Sequence, residues 1–311
     1  MAFQTDYLLK TIISTVLFPF TAGNLYIRKK NETKEPGSIV KVHGRSIHAI
    51  ISGEENGNPT VILDAGLSGN CLAWCLVQPG LSKFTRVVSF DRAGYGWSDT
   101  RSGISTSKEV VNDLKIALDE MNISPPYILV GHSFAGLNMR LFASQYPNEV
   151  AGIVLVDAAH ENRYVKEEMN TDRSQQYIKS LKQMRLGYIT STIGLPRLLK
   201  IPVGGRSLPA QVQNHVKHVG YTPGAYEAVY KEMLYSEESA KQIKRAENLR
   251  ENLPVVVISS NNTDPIWKEQ QQLLCGLTSC TKHIQTENGH SIQLENPEVV
   301  IKAITGLLKI E

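Results

Sequence analysis

Three residue types spaced along this chain are those that nucleophilic acyl chemistry needs: a serine, a histidine and an aspartate. Ser133 sits in Val130-Gly131-His132-Ser133-Phe134-Ala135-Gly136, between the apolar run Tyr127-Ile128-Leu129-Val130 and the helix-period segment Leu137 to Ala143. A serine with small neighbours at a sharp strand-to-helix turn is held in strained, exposed geometry, and the helix start behind it favours developing negative charge. The usual pattern is Gly-Xaa-Ser-Xaa-Gly; here Ala135 stands at the second glycine and Gly136 follows one place later. Alone the motif is a weak signal, because Gly and Ser are common turn residues. The strand and helix around it supply the context it needs.

A serine hydroxyl is a poor nucleophile until a base takes its proton and a third group orients that base. Of the eight histidines, His290 is the outstanding candidate base. It follows Glu287-Asn288-Gly289 in a polar loop, after the strand-like Lys282-His283-Ile284-Gln285 and before an apolar-periodic helix. His43 and His48 fall in a hairpin, His215 and His218 in an insertion, and His132 is expected to point away from the serine on its tight turn. For His160 a structural or surface role outweighs a place in the cleft. The orienting carboxylate should end a strand beside the nucleophile or the base. Asp264, after Val255 to Ile258, is the first choice, and Asp157, closing Ile153 to Val156, is the alternative. Asp264 stands before Pro265 and so also reads as a helix N-cap, a role hard to combine with catalysis. The oxyanion needs donors. The backbone N–H of Phe134 is one, and the N–H of Leu67 in Asp64-Ala65-Gly66-Leu67-Ser68-Gly69 is the expected second.

The elements that must hold these residues follow an alternating pattern. Ile39 to Val42 and Ser46 to Ile51 read as a hairpin turned at His43-Gly44. Val61 to Leu63, Val87 to Phe90, Tyr127 to Val130, Ile153 to Val156 and Val255 to Ile258 are short, wholly apolar runs, the type buried in a parallel sheet covered on both faces. Amphipathic segments such as Lys108 to Met121 lie between them. The expectation is an α/β fold, a doubly wound, mostly parallel sheet of about eight strands. Between Val156 and Val255 the rhythm breaks into helical candidates around Ser174 to Leu186 and Ala225 to Leu234. A structureless loop of that length is unusual in a compact domain, so the segment reads as an inserted helical cap. The organisation is therefore an apolar segment at 1–30, a core at 31–159 and 252–311, and a cap at 160–251.

With 41% hydrophobic and 20% charged residues over 311 positions, the composition is that of a globular protein. A net charge of +3, with no basic repeat interleaved with aromatics, argues against a nucleic-acid partner. Cys71 with Cys75 and Cys275 with Cys280 have no zinc spacing and no accompanying His pair; free thiols are the plainer reading, and a local disulfide needs an exported domain. No cofactor or metal is expected. Residues 7–27 are largely apolar and end at Arg28-Lys29-Lys30, near the lower limit of the roughly 17–25 residues that span a bilayer. The basic start of a cleavable signal is missing from Met1 to Asp6. Three readings stay open: a membrane anchor, a surface-lying segment, or a helix packed on the cap. The protein is thus expected to be membrane-associated or cytoplasmic.

The motifs taken together resemble the α/β-hydrolase superfamily, in its branch with a helical cap, over approximately residues 38 to 309. The resemblance rests on Gly131 to Gly136, on Asp91-Arg92-Ala93-Gly94-Tyr95-Gly96-Trp97-Ser98-Asp99, and on Gly289-His290 followed by Leu294-Glu295-Asn296-Pro297. It implies that Asp91 to Asp99 is a structural turn after the fourth strand, and it matches the family order of serine, acid and histidine. Two departures are Ala65-Gly66, where the family often has His-Gly, and Ala135 in the elbow; both keep small residues where backbone passes closely. Ser133 in place of an aspartate nucleophile argues against the haloalkane dehalogenase and epoxide hydrolase branches. The expected function is a serine hydrolase acting on carboxylic esters or related acyl compounds with an apolar part. Cofactor-free lyases, perhydrolases and carbon–carbon bond hydrolases share the fold, and a non-catalytic binding module is the remaining alternative. Leu181, Leu186, Tyr188, Ile193, Leu195, Leu198, Leu199, Tyr226 and Tyr230 are expected either to line an acyl pocket or to form the cap's own core.

Overall fold

The β-rich runs assemble into one eight-stranded sheet in a computed structural model that describes residues 2–205 and 208–308. The strands are β1 (Ser38–Val42), β2 (Arg45–Ser52), β3 (Thr60–Asp64), β4 (Val87–Phe90), β5 (Tyr127–His132), β6 (Val150–Val156), β7 (Val255–Ser259) and β8 (Thr281–Gln285). Their order is β1-β2-β4-β3-β5-β6-β7-β8, with β2 antiparallel to both neighbours and every other pairing parallel.

Every residue of β3, β4, β5 and β7 is buried, as expected of strands with no solvated face. Successive side chains alternate between the two faces. Ile62, Leu129, Ile153 and Leu155 pack against α4 (Ser107–Glu120) and α5 (Ala135–Gln145) through Leu114, Leu118, Leu137 and Phe142. Leu63, Val130, Val154 and Val156 face the other way, onto Trp74, Val77, Leu81, Val300 and Ile304. The last two belong to α13 (Pro297–Thr305). Helix α4 starts where a Thr106–Glu109 capping box satisfies the first free N–H groups.

The chain between β6 and β7 carries α6 (Thr171–Thr190), α7 (Leu195–Leu198), α8 (Gln213–Val219), α9 (Pro223–Leu234) and α10 (Ser236–Arg245), and no strand among the described residues. Its own core is aromatic: Tyr188, Tyr226 and Tyr230 cluster with Val203 and Val229. Leu186, Leu198 and Leu199 are exposed. A buried ionic network ties this insertion to the sheet. Arg92 donates through Nε to Glu232 of α9 at 2.6 Å and also pairs with Asp64 at the end of β3. Tyr95 Oη donates to the same Glu232 at 2.7 Å.

Asp91 anchors the turn after β4. Its buried carboxylate accepts from the Cys71 N–H at 2.8 Å and the Trp97 N–H at 3.1 Å, and pairs with His48 Nδ1 at 2.8 Å. All four cysteines are free thiols.

Residues 2–30 form two helices, α1 (Ala2–Val16) and α2 (Phe18–Lys30), bent by 94° at their junction. No single helix among the described residues is long and apolar enough to cross a membrane. Asp6 and Asn24 turn inward onto the insertion. Asp6 is buried and accepts from Arg185 Nη2 and from Tyr230 Oη, both at 2.6 Å. Asn24 donates to the carbonyls of Ser191 and Thr192 at 3.0 Å, and Phe3 stacks on Tyr188 with ring centres 5.3 Å apart.

Candidate active site

Parallel register brings the ends of three adjacent strands to one edge. His132 pairs with Val156, and Val156 pairs with Ile258, so Ser133 and Asp157 emerge side by side. Both residues leave their strands in left-handed backbone, Ser133 at φ 52° and Asp157 at φ 40°. For non-glycine residues that conformation is strained and persists only where the surroundings enforce it. Here they do. The Ser133 N–H donates to the Val156 carbonyl at 3.1 Å, its carbonyl accepts from the Ala159 N–H at 2.9 Å, and the Asp157 N–H donates to the Ile258 carbonyl at 2.7 Å. The displaced glycine of the elbow also has a reason. A Cβ on Gly136 would lie 2.6 Å from Ala158 Cβ, so a side chain there would collide with the segment just after β6, whereas Ala135 fits with its methyl buried.

His290 reaches this edge from the loop after β8. The loop is pinned by the Asn261 N–H to the Asn288 carbonyl at 2.8 Å and by the Gly289 N–H to Glu295 at 2.6 Å. His290 Nε2 lies 2.9 Å from Ser133 Oγ, and its Nδ1 lies 2.5 Å from Asp157 Oδ2. Asp157 is fully buried and accepts three further hydrogen bonds: from the Ser260 N–H at 3.0 Å, Ser260 Oγ at 2.9 Å and Trp267 Nε1 at 3.0 Å. Burial pushes its carboxyl up, but the His290 bond, the Ser260 N–H and Trp267 outweigh that and hold it below the usual carboxylate range. The group is therefore a fixed anion aimed at the imidazole.

Asp264, the expected orienting carboxylate, is not brought to His290. It is exposed and accepts from the Ile266 N–H at 3.0 Å, capping α11 (Pro265–Cys275). Free N–H groups at a helix start compete for such a carboxylate. The carboxylate at His290 is the alternative, Asp157.

His132 was expected to point away from the site, yet its ring centre lies 4.8 Å from that of His290 and its Nε2 is 2.9 Å from the His290 carbonyl. With Nε2 as the donor, it fixes the loop that carries the imidazole. Burial, with the neighbouring His290 ring, pushes its pKa down to about 3. His160 is buried rather than at the surface, and its ring accepts from the Asn162 N–H at 3.2 Å. Sequence reasoning also missed Ser260 and Trp267, whose types carry no catalytic signature.

Gly66 passes so close to the nucleophile that a Cβ on it would lie 2.9 Å from Ser133 Cβ and 3.0 Å from His132 Nδ1. That approach brings Leu67 to the serine. No backbone bond among the described residues uses the N–H of Leu67 or of Phe134. Two cavities meet at Ser133 and His290. One, of about 350 Å³, runs between Gly66 to Gly69 and, on the insertion, Pro202, Gly204, Gly205 and Leu208. The other, of about 270 Å³, is lined by Tyr164, Met184, Met233 and Trp267, with Arg163 and Arg173. None of the apolar insertion residues expected as pocket lining borders either cavity.

His48, Cys71 and Asp91 gather donor atoms within 4.8 Å of one another, but they do not fit a metal. The Asp91 oxygens are taken by two backbone N–H groups and by His48 Nδ1, and His48 Nε2 meets the Pro36 carbonyl.

The model of the alpha/beta hydrolase fold matches residues 59–297, which include the serine turn, the Asp91 turn and the histidine loop. The chain belongs to the α/β-hydrolase family. A "Probable transporter efuK" of Hormonema carpetanum is 24% identical over 297 residues, 86% of this chain and 42% of that protein. The chain spans well under two thirds of the length of the curated relatives it matches, from 15% to 59%. A putative epoxide hydrolase from Pseudomonas aeruginosa superposes with a TM-score of 0.70 at 16% identity, over 88% of this chain and 96% of that one. A thermophilic esterase from Thermogutta terrifontis superposes at 0.62 and 16% identity, over 87% and 97%. At such identities the likeness is one of fold.

Proposed function

We propose that this α/β-hydrolase chain is a serine hydrolase that cleaves carboxylic esters or related acyl compounds through an acyl-enzyme. The observation that carries the reading is the continuous relay from Ser133 Oγ through both nitrogens of His290 to Asp157, at 2.9 and 2.5 Å. In it His290 Nε2 takes the hydroxyl proton as Ser133 attacks the carbonyl, and Asp157 holds the tautomer and stabilises the imidazolium. The N–H groups of Phe134 and Leu67 receive the oxyanion, and His290 returns the proton to the leaving alcohol. Water then attacks the acyl-serine by the same route. The helical insertion acts as the cap over the two cavities.

The structural likeness to a putative epoxide hydrolase does not outweigh the nucleophile, since Ser133 stands where that branch carries an aspartate. Hydrolysis of short- and medium-chain aryl esters tests the reading: turnover that disappears in Ser133→Ala supports it. Absence of ester turnover by the folded wild type, with cleavage of a carbon–carbon bond instead, overturns it.

We further propose that α1 and α2 lie on a membrane surface, the second of the three readings, rather than spanning the bilayer. The inward bonds of Asp6 and Asn24 leave Ile12, Val16, Phe18, Phe20 and Tyr26 exposed. Leu198 and Leu199 continue this patch, because the adjacent Arg197 bonds Asn24 at 3.3 Å. Arg28-Lys29-Lys30 beside it suit anionic headgroups. Co-sedimentation with anionic vesicles that is lost in Phe18→Asp/Phe20→Asp is the expected result, and equal sedimentation of both proteins contradicts it.

A further inference from the structure

Two arginines border the 270 Å³ cavity that opens onto Ser133 and His290. Among the described residues no carboxylate reaches ion-pair distance of either, although most of the chain's other interior cations are paired, Arg92 and Arg140 among them. Arg163 lies over Trp267, its guanidinium carbon 4.7 Å from the ring centre. The same indole touches the relay itself, since its ring centre is 5.6 Å from His290 and its Nε1 bonds Asp157. Arg173, in the first turn of α6, donates through Nε to the Arg163 carbonyl at 3.3 Å, which uses one of its five donors. Its guanidinium lies 5.7 Å from the Tyr164 ring. Both arginines are half-buried, and the exposed Asp264 acts on Arg173 only through space. Burial and the like charge of Arg163 both work against the Arg173 cation, a cost that an incoming anion would relieve.

We propose that Arg163 and Arg173 form an anion-recognition subsite, so that the preferred substrate carries a carboxylate or phosphate beside its scissile acyl group. The inference rests on Ser133 marking the substrate site, and it deepens the hydrolase reading by giving the substrate a charge. A guanidinium pair presents forked donors matched to two oxygens of such a group, and the aromatic faces beneath them hold the forks in place. The apolar remainder of the same cavity, Met184 and Met233 above all, receives the uncharged part of the molecule. The 350 Å³ cavity, bordered by Gly66, Leu67, Gly69 and Leu294 on the sheet side, is open to the portion on the other side of the carbonyl.

Equilibrium binding to the full chain tests this without any turnover. Benzoate, phenyl phosphate and neutral benzyl alcohol are titrated calorimetrically against the wild type and against Arg163→Gln/Arg173→Gln. At least one anion is expected to bind roughly tenfold or more tightly than the alcohol, as charge-assisted bonds to two guanidinium groups imply. The double variant should lose that margin, and Arg163→Lys/Arg173→Lys should recover part of it. Tighter benzoate assigns the subsite to carboxylates, and tighter phenyl phosphate assigns it to phosphates. Equal binding of all three probes by the wild type overturns the proposal whether or not the variants fold. So does an anion margin that survives in a folded double variant. A protein that binds the anions yet never turns over an ester would refute the hydrolase reading and leave this one standing.

Discussion

His290 Nδ1 lies 2.5 Å from Asp157 Oδ2, and Asp157 is the residue immediately after β6, the strand next to the one that delivers Ser133. This places the imidazole between a buried anion and the nucleophile with no intervening group. It also separates two aspartates that look alike in sequence. Asp157→Asn should leave the fold intact and lower kcat on an aryl ester by about 10³- to 10⁴-fold, because the amide favours the wrong tautomer. Asp264→Ala should keep catalysis and cost about 1 kcal/mol of stability as α11 loses its cap. Kinetics and urea melts of the two variants check both outcomes. Inactive Asp264→Ala beside active Asp157→Asn would reverse the assignment.

His132 gives the protein a stability that depends on pH. In the folded state its pKa is about 3, well under the value of about 6.5 for a free imidazole. Between those values the unfolded chain binds a proton that the folded chain does not, so stability falls as the pH drops from about 6.5 toward 3. Above that window the residue contributes no slope. His160, pushed down to about 4 by burial, works in the same direction. Urea unfolding at pH 7, 6 and 5 should show a decline that flattens in His132→Gln by up to about 1.4 kcal/mol per pH unit. An unchanged slope in that variant would contradict the buried, neutral state of the ring.

Arg92 holds the insertion to the sheet through Asp64 and Glu232. Removing the cation leaves two carboxylates buried without a partner. Arg92→Ala should therefore destabilise the protein by about 3–5 kcal/mol. Replacing the network in one step, as Arg92→Met/Asp64→Asn/Glu232→Gln, should cost less than Arg92→Ala alone. Chemical denaturation measures both. A milder effect of the single change than of the triple change would mean that the network is solvated.

The sheet was legible in the sequence because each buried strand is a short run of Val, Ile and Leu between polar segments. All eight runs became strands, including the hairpin turned at His43-Gly44. Ser133 and His290 were legible for a related reason: each follows a strand end in a loop with small or polar neighbours. The acid was not, because Asp157 and Asp264 both follow apolar strands, and only the backbone decides between them. Asp157 comes immediately after β6 in left-handed backbone, whereas Asp264 lies past a polar loop where α11 claims it. The insertion hid its pocket because aromatic and leucine side chains look the same whether they face a ligand or one another. Tyr188, Tyr226 and Tyr230 form its core, and the insertion residues at the cavities by Ser133 include Tyr164, Met184, Met233, Arg163 and Arg173 instead.

The proposed nucleophile is Ser133, activated by His290. A fluorophosphonate probe, followed by peptide mapping of the modified protein, tests it most directly. One modified residue, Ser133, is expected, with labelling lost in Ser133→Ala and strongly slowed in His290→Ala. Labelling that persists in folded Ser133→Ala, or no labelling of the folded wild type, would contradict it.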